Sequence, residues 1–163
     1  YYALINKSLS APVGLIASSF LAVFKDEAST EFRENNNCEK SYVKVLKTLS
    51  IIAIFCFGIL FLILPELFSI LFGSTYKEAG SLARLLVPLF LIRFIASPLS
   101  YTLFITENQV VDFLWQLVLL IVVFLIFYLS STFNMSIVLF SSAYTMMYVL
   151  NLILSHRAAM NKL

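Results

Sequence analysis

Arg93 is the residue whose type and position in this 163-residue chain most strongly indicate chemistry. It lies at the middle of an apolar stretch, Ser81–Ile105, about 18 Å of helix from either end. A central arginine in a membrane helix costs about 2.5–3.5 kcal/mol on insertion scales, so it normally faces a bundle interior or a wet cavity. Arg93 therefore predicts a substrate-binding anion site or, alternatively, a structural pair with a carboxylate.

The carboxylates of the sequence offer Arg93 no partner at the same depth. Glu66 is expected toward the outer side, and Glu107 and Asp112 are expected at the cytoplasmic side. Asp112 and Gln116, one turn apart, are interpreted as interfacial anchors. The partner of Arg93 is then a ligand or a residue outside this sequence.

Lys7 is a second candidate for substrate binding, about one turn into the first apolar stretch. Ala11, Gly14 and Ser18 follow it on the same helix face, and small residues let helices pack closely. This pattern directs Lys7 inward. The alternative is that Lys7 extends its ammonium group to the outer interface.

The fifth apolar stretch carries a polar stripe that either lines an aqueous cavity or supplies interhelical hydrogen bonds, worth about 0.6 kcal/mol each on average. Its candidate cavity-lining residues are Ser141, Tyr144, Tyr148 and Asn151. Enzyme signatures are not recognisable: the single histidine, His156, is expected to be solvated, and no metal-ligand cluster or phosphate loop occurs. The sequence predicts no catalytic residue, metal or cofactor.

The composition shows what must position these side chains. The chain is 61% hydrophobic and 12% charged, whereas soluble domains are about 45–50% apolar and about 25% charged. A net charge of +2 is too small to indicate nucleic acid. We therefore predict an all-α, polytopic transmembrane helix bundle that forms a single domain over residues 1–163.

Five stretches approach or exceed the roughly 20 apolar residues that a helix needs to cross a bilayer. Each must be helical because lipid offers no partners to free backbone groups. The fourth is wholly apolar from Leu117 to Phe127 and is expected to contact lipid. The predicted spans are Leu4–Phe24, Val45–Phe72, Ser81–Ile105, Val110–Leu129 and Met135–Leu154.

The connections carry further signals. The polar stretch Lys25–Lys44 is expected to be a partly helical surface loop, and the excess of basic residues places it in the cytoplasm. Gly73 predicts a helix C-terminal cap. Thr75 with Glu78 predicts a capping box that opens the third span.

The stretch from Leu64 to Asn108 resembles the polysaccharide biosynthesis flippases, which export O-antigen and capsule repeat units. The similarity extends from about Tyr1 to about Gln116. The motifs that carry it are Leu64-Pro65-Glu66-Leu67-Phe68, Phe72-Gly73-Ser74-Thr75-Tyr76-Lys77-Glu78-Ala79-Gly80, Leu85-Leu86-Val87-Pro88-Leu89-Phe90 and Arg93-Phe94-Ile95-Ala96-Ser97-Pro98-Leu99-Ser100.

The resemblance implies a fold of two six-helix lobes around a central cavity, of which this chain covers the last five helices of the second lobe. The first lobe is then a missing part of the same protein. It also implies a multi-pass protein of the bacterial inner membrane that flips an undecaprenyl-pyrophosphate-linked oligosaccharide by alternating access. Arg93 or Lys7 would hold the pyrophosphate, and membrane lipids would surround the bundle.

Three alternatives remain open. A multidrug antiporter of the same superfamily would need an acidic residue at the membrane midplane. A membrane-embedded polysaccharide polymerase or ligase would need a large external loop with catalytic Arg or His. A purely structural helical subunit would not explain Arg93.

Overall fold

The computed structural model describes the backbone of residues 2–129 and 133–162, and the side chains of residues 14–129 and 135–162. Every regular element in these ranges is a helix, which confirms the predicted all-α class. A 3-10 turn, Ser74–Tyr76, joins the second helix to the third. The α-helices are α1 (Tyr2–Asn35), α2 (Glu39–Phe72), α3 (Lys77–Leu99), α4 (Thr102–Ile105), α5 (Gln109–Leu129) and α6 (Phe133–Ala159).

Four spans of the described residues are long and apolar enough to cross a membrane, so the chain is a multi-pass membrane protein. They correspond to the second to fifth predicted spans. The first prediction, Leu4–Phe24, lies within α1, where the side chains before residue 14 are outside the described residues. The four spans are Glu39–Phe72, Ser74–Ile105, Gln109–Leu129 and Met135–Ala159.

Helix α3 lies at the centre of the bundle and packs against α1, α2 and α6. Its side chains Leu86, Phe90 and Phe94 are buried in the core. Helix α5 is peripheral and packs mainly against α6. Phe124 and Phe127 of α5 are 68% and 53% exposed, which is the exposure expected of a helix that contacts lipid.

The polar stretch Lys25–Lys44 is more regular than the predicted surface loop, since only residues 36–38 separate α1 from α2. The Glu31 carboxylate accepts hydrogen bonds from the backbone N–H groups of Lys40 (3.2 Å) and Ser41 (2.9 Å), and from the Ser41 hydroxyl. Lys44 Nζ lies 2.9 Å from Glu27 Oε2. These contacts join the two helix ends into an antiparallel hairpin.

The electrostatics of this hairpin follow from the same contacts. Burial alone raises the pKa of Glu31, but the hydrogen bonds from Ser41 and Lys40 outweigh it, so the net pKa is lowered. A carboxylate at a helix N-terminus is stabilised by the free N–H groups there. Glu31 of α1 therefore acts as the N-terminal cap of α2, although it precedes that helix by eight positions in the sequence.

The end of α2 and the start of α3 test two local predictions. Gly73 has a φ of +99° and its N–H donates to the Ser69 carbonyl (3.0 Å), which confirms the predicted cap. The predicted capping box is wrong. No side chain caps the 3-10 turn or α3, because Thr75 lies inside the turn and α3 begins two residues later at Lys77.

The C-terminal end of α6 docks against the start of α2. The Cys38 N–H donates to the Ala159 carbonyl (3.0 Å), and the Tyr42 hydroxyl donates to the Leu152 carbonyl (2.8 Å). The His156 ring packs 5.3 Å from the Tyr42 ring, so it is less solvated than the sequence suggests. The start of α2 and the end of α6 are thereby tied together.

Candidate functional site

An open cavity of about 700 Å³ lies between α3, α5 and α6. Its walls combine charged, amide, hydroxyl and aromatic groups with an apolar side from α5. Residues from α3 and the following turn are Arg93, Ser97, Ser100 and Phe104; those from α5 are Asp112, Trp115, Gln116, Leu119, Leu120 and Val123; those from α6 are Phe140, Tyr144, Tyr148 and Asn151.

Arg93 opens into this cavity from the middle of the Ser74–Ile105 span. Its guanidinium makes no hydrogen bond or ion pair with the side chains and backbone of residues 14–129 and 135–162. Pro88 and Pro98 flank it in α3, yet no carbonyl freed by either proline accepts from it. An intramembrane cation with polar walls around it and no internal partner is a candidate anion site.

Three of the four predicted cavity-lining residues lie on the wall beside Arg93: Tyr144, Tyr148 and Asn151. Ser141 does not. Its hydroxyl donates to the Leu85 carbonyl (2.6 Å), three residues before Pro88, and it borders a separate groove of about 430 Å³. Ser141 thus makes the interhelical hydrogen bond that is the alternative interpretation of the stripe.

The structure corrects the interpretation of Asp112 as an interfacial anchor. The sequence predicts an interfacial anchor, but Asp112 is 6% exposed and lines the same cavity as Arg93. Gln116 Nε2 donates to Asp112 Oδ2 at 2.7 Å. No ion pair joins Asp112 to Arg93 in the described part of the chain, so the two charges share a cavity without neutralising each other by contact.

Trp115 lines the cavity, although it was not among the residues predicted from the sequence. Its indole N–H donates to the Met147 carbonyl (2.8 Å), and its ring lies edge-on to Tyr148, with centroids 5.2 Å apart. The sequence did hold a signal. Asp112, Trp115 and Gln116 are spaced to share one face of an otherwise apolar helix, which marks that face as the inner one.

Asn151 is the most deeply placed polar group of the cavity wall. It is 0% exposed, and its Nδ2 has no hydrogen-bond partner, although its Oδ1 accepts from Ser155 Oγ at 3.5 Å. A buried amide donor without a partner costs about 1–3 kcal/mol. Because Asn151 also lines the cavity, this donor is a candidate for contact with a ligand.

Lys7, the second predicted binding residue, has its side chain outside the described residues. The described part of its small-residue face is not packed in this structure. A Cβ atom built on Gly14 would have no neighbouring atom within 4 Å, and Ser18 is exposed, donating only to the Leu15 carbonyl. Within residues 14–129 and 135–162, no helix therefore packs against the described part of the face that carries Gly14 and Ser18.

Arg84 is a second arginine in the membrane span, and its role is structural. Its Nη2 donates to the Leu62 carbonyl (2.6 Å), three residues before Pro65, and its guanidinium lies 5.8 Å from the Phe61 ring centroid. A proline in a helix disturbs the hydrogen bonds of the preceding turn. Arg84 supplies a donor at that turn, which distinguishes it from Arg93.

The described residues contain no group of three or more His, Cys, Asp or Glu side chains able to hold a metal ion. Comparisons with protein-family models, curated proteins and solved structures gave no match for this chain.

Proposed function

We propose that this chain is part of a transporter that moves a lipid-linked oligosaccharide across the bacterial inner membrane by alternating access. The observation that carries the proposal is the free guanidinium of Arg93, which opens into a large cavity from the middle of a membrane span. The substrate class comes from the resemblance of Leu64–Asn108 to polysaccharide flippases.

A pyrophosphate is the part of such a substrate that Arg93 would bind. The planar guanidinium presents paired donors that match two phosphate oxygens at once, which a lysine ammonium cannot do. An anion in the cavity would also offset the cost of holding a positive charge at this depth. Binding the phosphate and offsetting the charge require no covalent step, and the proposed mechanism contains no covalent step.

The size and walls of the cavity suit the head of this substrate. Its volume of about 700 Å³ falls within the 300–1,000 Å³ typical of small-ligand sites. Hydroxyl and amide groups on α6 face the apolar residues Leu119 and Val123 of α5 across it. The polar head would occupy the cavity, while the polyprenyl tail, which is hydrocarbon, would stay in the lipid.

A second candidate function, cation antiport, is favoured by one observation. Asp112 is a buried carboxylate on the cavity wall, and a buried carboxylate attracts an organic cation or a proton. Two features weigh against it. Asp112 lies about one turn from the start of α5 rather than at the midplane, and the free charge at the midplane is the positive one of Arg93.

The test measures polysaccharide export and membrane abundance together, with each variant expressed as the whole protein. Arg93→Ala should nearly abolish export at normal abundance, and Arg93→Lys should impair it strongly although it keeps the charge. Arg84→Ala is the matched control. Because Arg84 bonds to the Leu62 carbonyl, its loss should lower abundance and leave export per molecule unchanged.

Normal export by Arg93→Ala at normal abundance would refute the proposal. Loss of the Arg93→Ala protein itself would favour a structural role for that arginine. Asp112→Asn tests the second candidate: loss of resistance to cationic drugs in this variant, together with normal polysaccharide export by Arg93→Ala, would establish the antiporter instead.

A further inference from the structure

The two charged residues of the cavity lie at different depths. Arg93 lies about twelve residues before the end of the Ser74–Ile105 span, whereas Asp112 lies about one turn from the start of α5 at Gln109. The connection between these helices is short, so the Asp112 end of the cavity lies nearer the end of the bundle. The cavity therefore has a midplane end at Arg93 and a second end at Asp112.

The second end presents both hydrogen-bond donors and acceptors. Asn151 Nδ2 is a buried donor with no partner. Asp112 also lines this end, and the hydrogen bond from Gln116 engages its Oδ2, which leaves Oδ1 as a further acceptor. Tyr148 contributes a phenol to the same wall.

An aromatic surface adjoins these polar groups. Trp115 is fixed by its N–H bond to the Met147 carbonyl and by its contact with the Tyr148 ring. Because the indole N–H is already engaged, the part of the ring that lines the cavity offers apolar contact only. Fixed aromatic rings beside amide and carboxylate groups suit a sugar, whose C–H faces are apolar and whose hydroxyls both donate and accept.

We propose that Asp112, Trp115, Gln116, Tyr148 and Asn151 form a carbohydrate subsite, which binds the sugar residues that follow a pyrophosphate held at Arg93. This inference rests on the proposed function. Asn151 Nδ2 donates to a sugar oxygen, and Asp112 accepts from a sugar hydroxyl. A metal cation fits the subsite less well, because the unpartnered group of Asn151 is a donor and would repel it.

Trp115 provides the measurement, since it is the single tryptophan of this sequence. The whole protein is purified in nanodiscs with any other tryptophan replaced by phenylalanine. Trp115 emission is then titrated with two uncharged disaccharides, maltose and N,N′-diacetylchitobiose, and separately with inorganic pyrophosphate and with NaCl at constant ionic strength. At least one disaccharide should give a saturable change in emission.

The variants assign each ligand to its end of the cavity. Asn151→Leu should weaken disaccharide binding about tenfold, the value of one good hydrogen bond, and leave pyrophosphate binding unchanged. Arg93→Ala should weaken pyrophosphate binding and leave disaccharide binding unchanged. Gln116→Ala is the second subsite variant; its side chain is exposed, so it tests the subsite even if Asn151→Leu does not fold.

The outcomes separate the two proposals. If neither disaccharide changes the emission, or if Asn151→Leu and Gln116→Ala bind as well as the wild type, the subsite is refuted. A response to sodium that Asp112→Asn removes, with no response to sugar, would make this end a cation site. Disaccharide binding that depends on Asn151, together with normal export by Arg93→Ala, would retain the subsite and refute the flippase.

Discussion

Gly80 of α3 packs directly against the backbone of Pro65 in α2. A Cβ atom built on Gly80 would lie 2.5 Å from the Pro65 Cα and 2.8 Å from the Leu64 carbonyl oxygen. Both neighbours are backbone atoms, so no side-chain movement would relieve the clash. This close approach of the two helices therefore depends on the absence of a side chain at position 80.

Gly80→Ala is expected to destabilise the bundle by about 1–3 kcal/mol, the usual cost of an overpacked core. Gly58→Ala is the matched control, since Gly58 lies in α2 with nothing within 4 Å of its Cβ position. That change should be neutral, or stabilise by up to about 1 kcal/mol through helix propensity. Thermal unfolding in detergent compares the two variants, and equal melting temperatures would contradict the packing described here.

Glu31 is expected to make the stability of the α1–α2 hairpin depend on pH. Its pKa is lowered in the folded state, so its contribution is present above the unfolded pKa and is lost as the pH falls through the folded value. Glu31→Gln should lower stability by about 1 kcal/mol near neutral pH, as the loss of other N-caps does. The gap between wild type and variant should therefore narrow as the pH is lowered from neutral toward pH 3.

The measurement is the difference in melting temperature between wild type and Glu31→Gln across that pH range. Glu34→Gln is the control, because Glu34 is exposed and lies on the same helix. A gap that stays constant down to pH 3 would show that the carboxylate of Glu31 does not provide the cap.

The orientation of the hairpin is expected to follow the positive-inside rule, with its tip in the cytoplasm. Asn35→Cys, at the end of α1, and Ser74→Cys, just after α2, place thiols at exposed positions on the two sides of α2. Both variants are made in a background without Cys38 and Cys56. An impermeant maleimide added to intact cells should label position 74 only. Labelling of position 35 but not of position 74 would reverse the topology.

The helices and several of their ends could be predicted from the sequence because each is set by local physics. Lipid leaves a backbone no partner but its own, so an apolar run such as Val110–Leu129 must be helical, and it agrees with α5 within one residue at its start. Gly73 ends α2 because a positive φ favours glycine. These features depend on neighbours in sequence.

The composition of the cavity wall could be predicted only in part, because it depends on how helices rotate against each other. Tyr144, Tyr148 and Asn151 share a helical face, and that face does reach the cavity. Ser141, on the same face one turn earlier, meets the Leu85 carbonyl of α3 instead. Spacing assigns residues to a face but does not say which neighbour each part of the face will meet.

The depth of Asp112 could not be predicted for a similar reason. Distance along one helix gives no measure of burial, because burial depends on what packs over the residue. Asp112 is 6% exposed although it lies within the first turn of α5. The capping of α2 by Glu31 could not be predicted either, since it joins residues of two different helices.

The hairpin of α1 and α2 is longer than a bilayer is thick. Each helix has 34 residues, about 51 Å at the usual rise, while the hydrocarbon core of a bilayer is about 30 Å thick. The remaining length lies beyond the hydrocarbon core, where Glu31 and the Glu27–Lys44 pair join α1 to α2, and the Cys38–Ala159 hydrogen bond joins α2 to α6. A tilt of α2 within the lipid would therefore move α1 and the end of α6 with it.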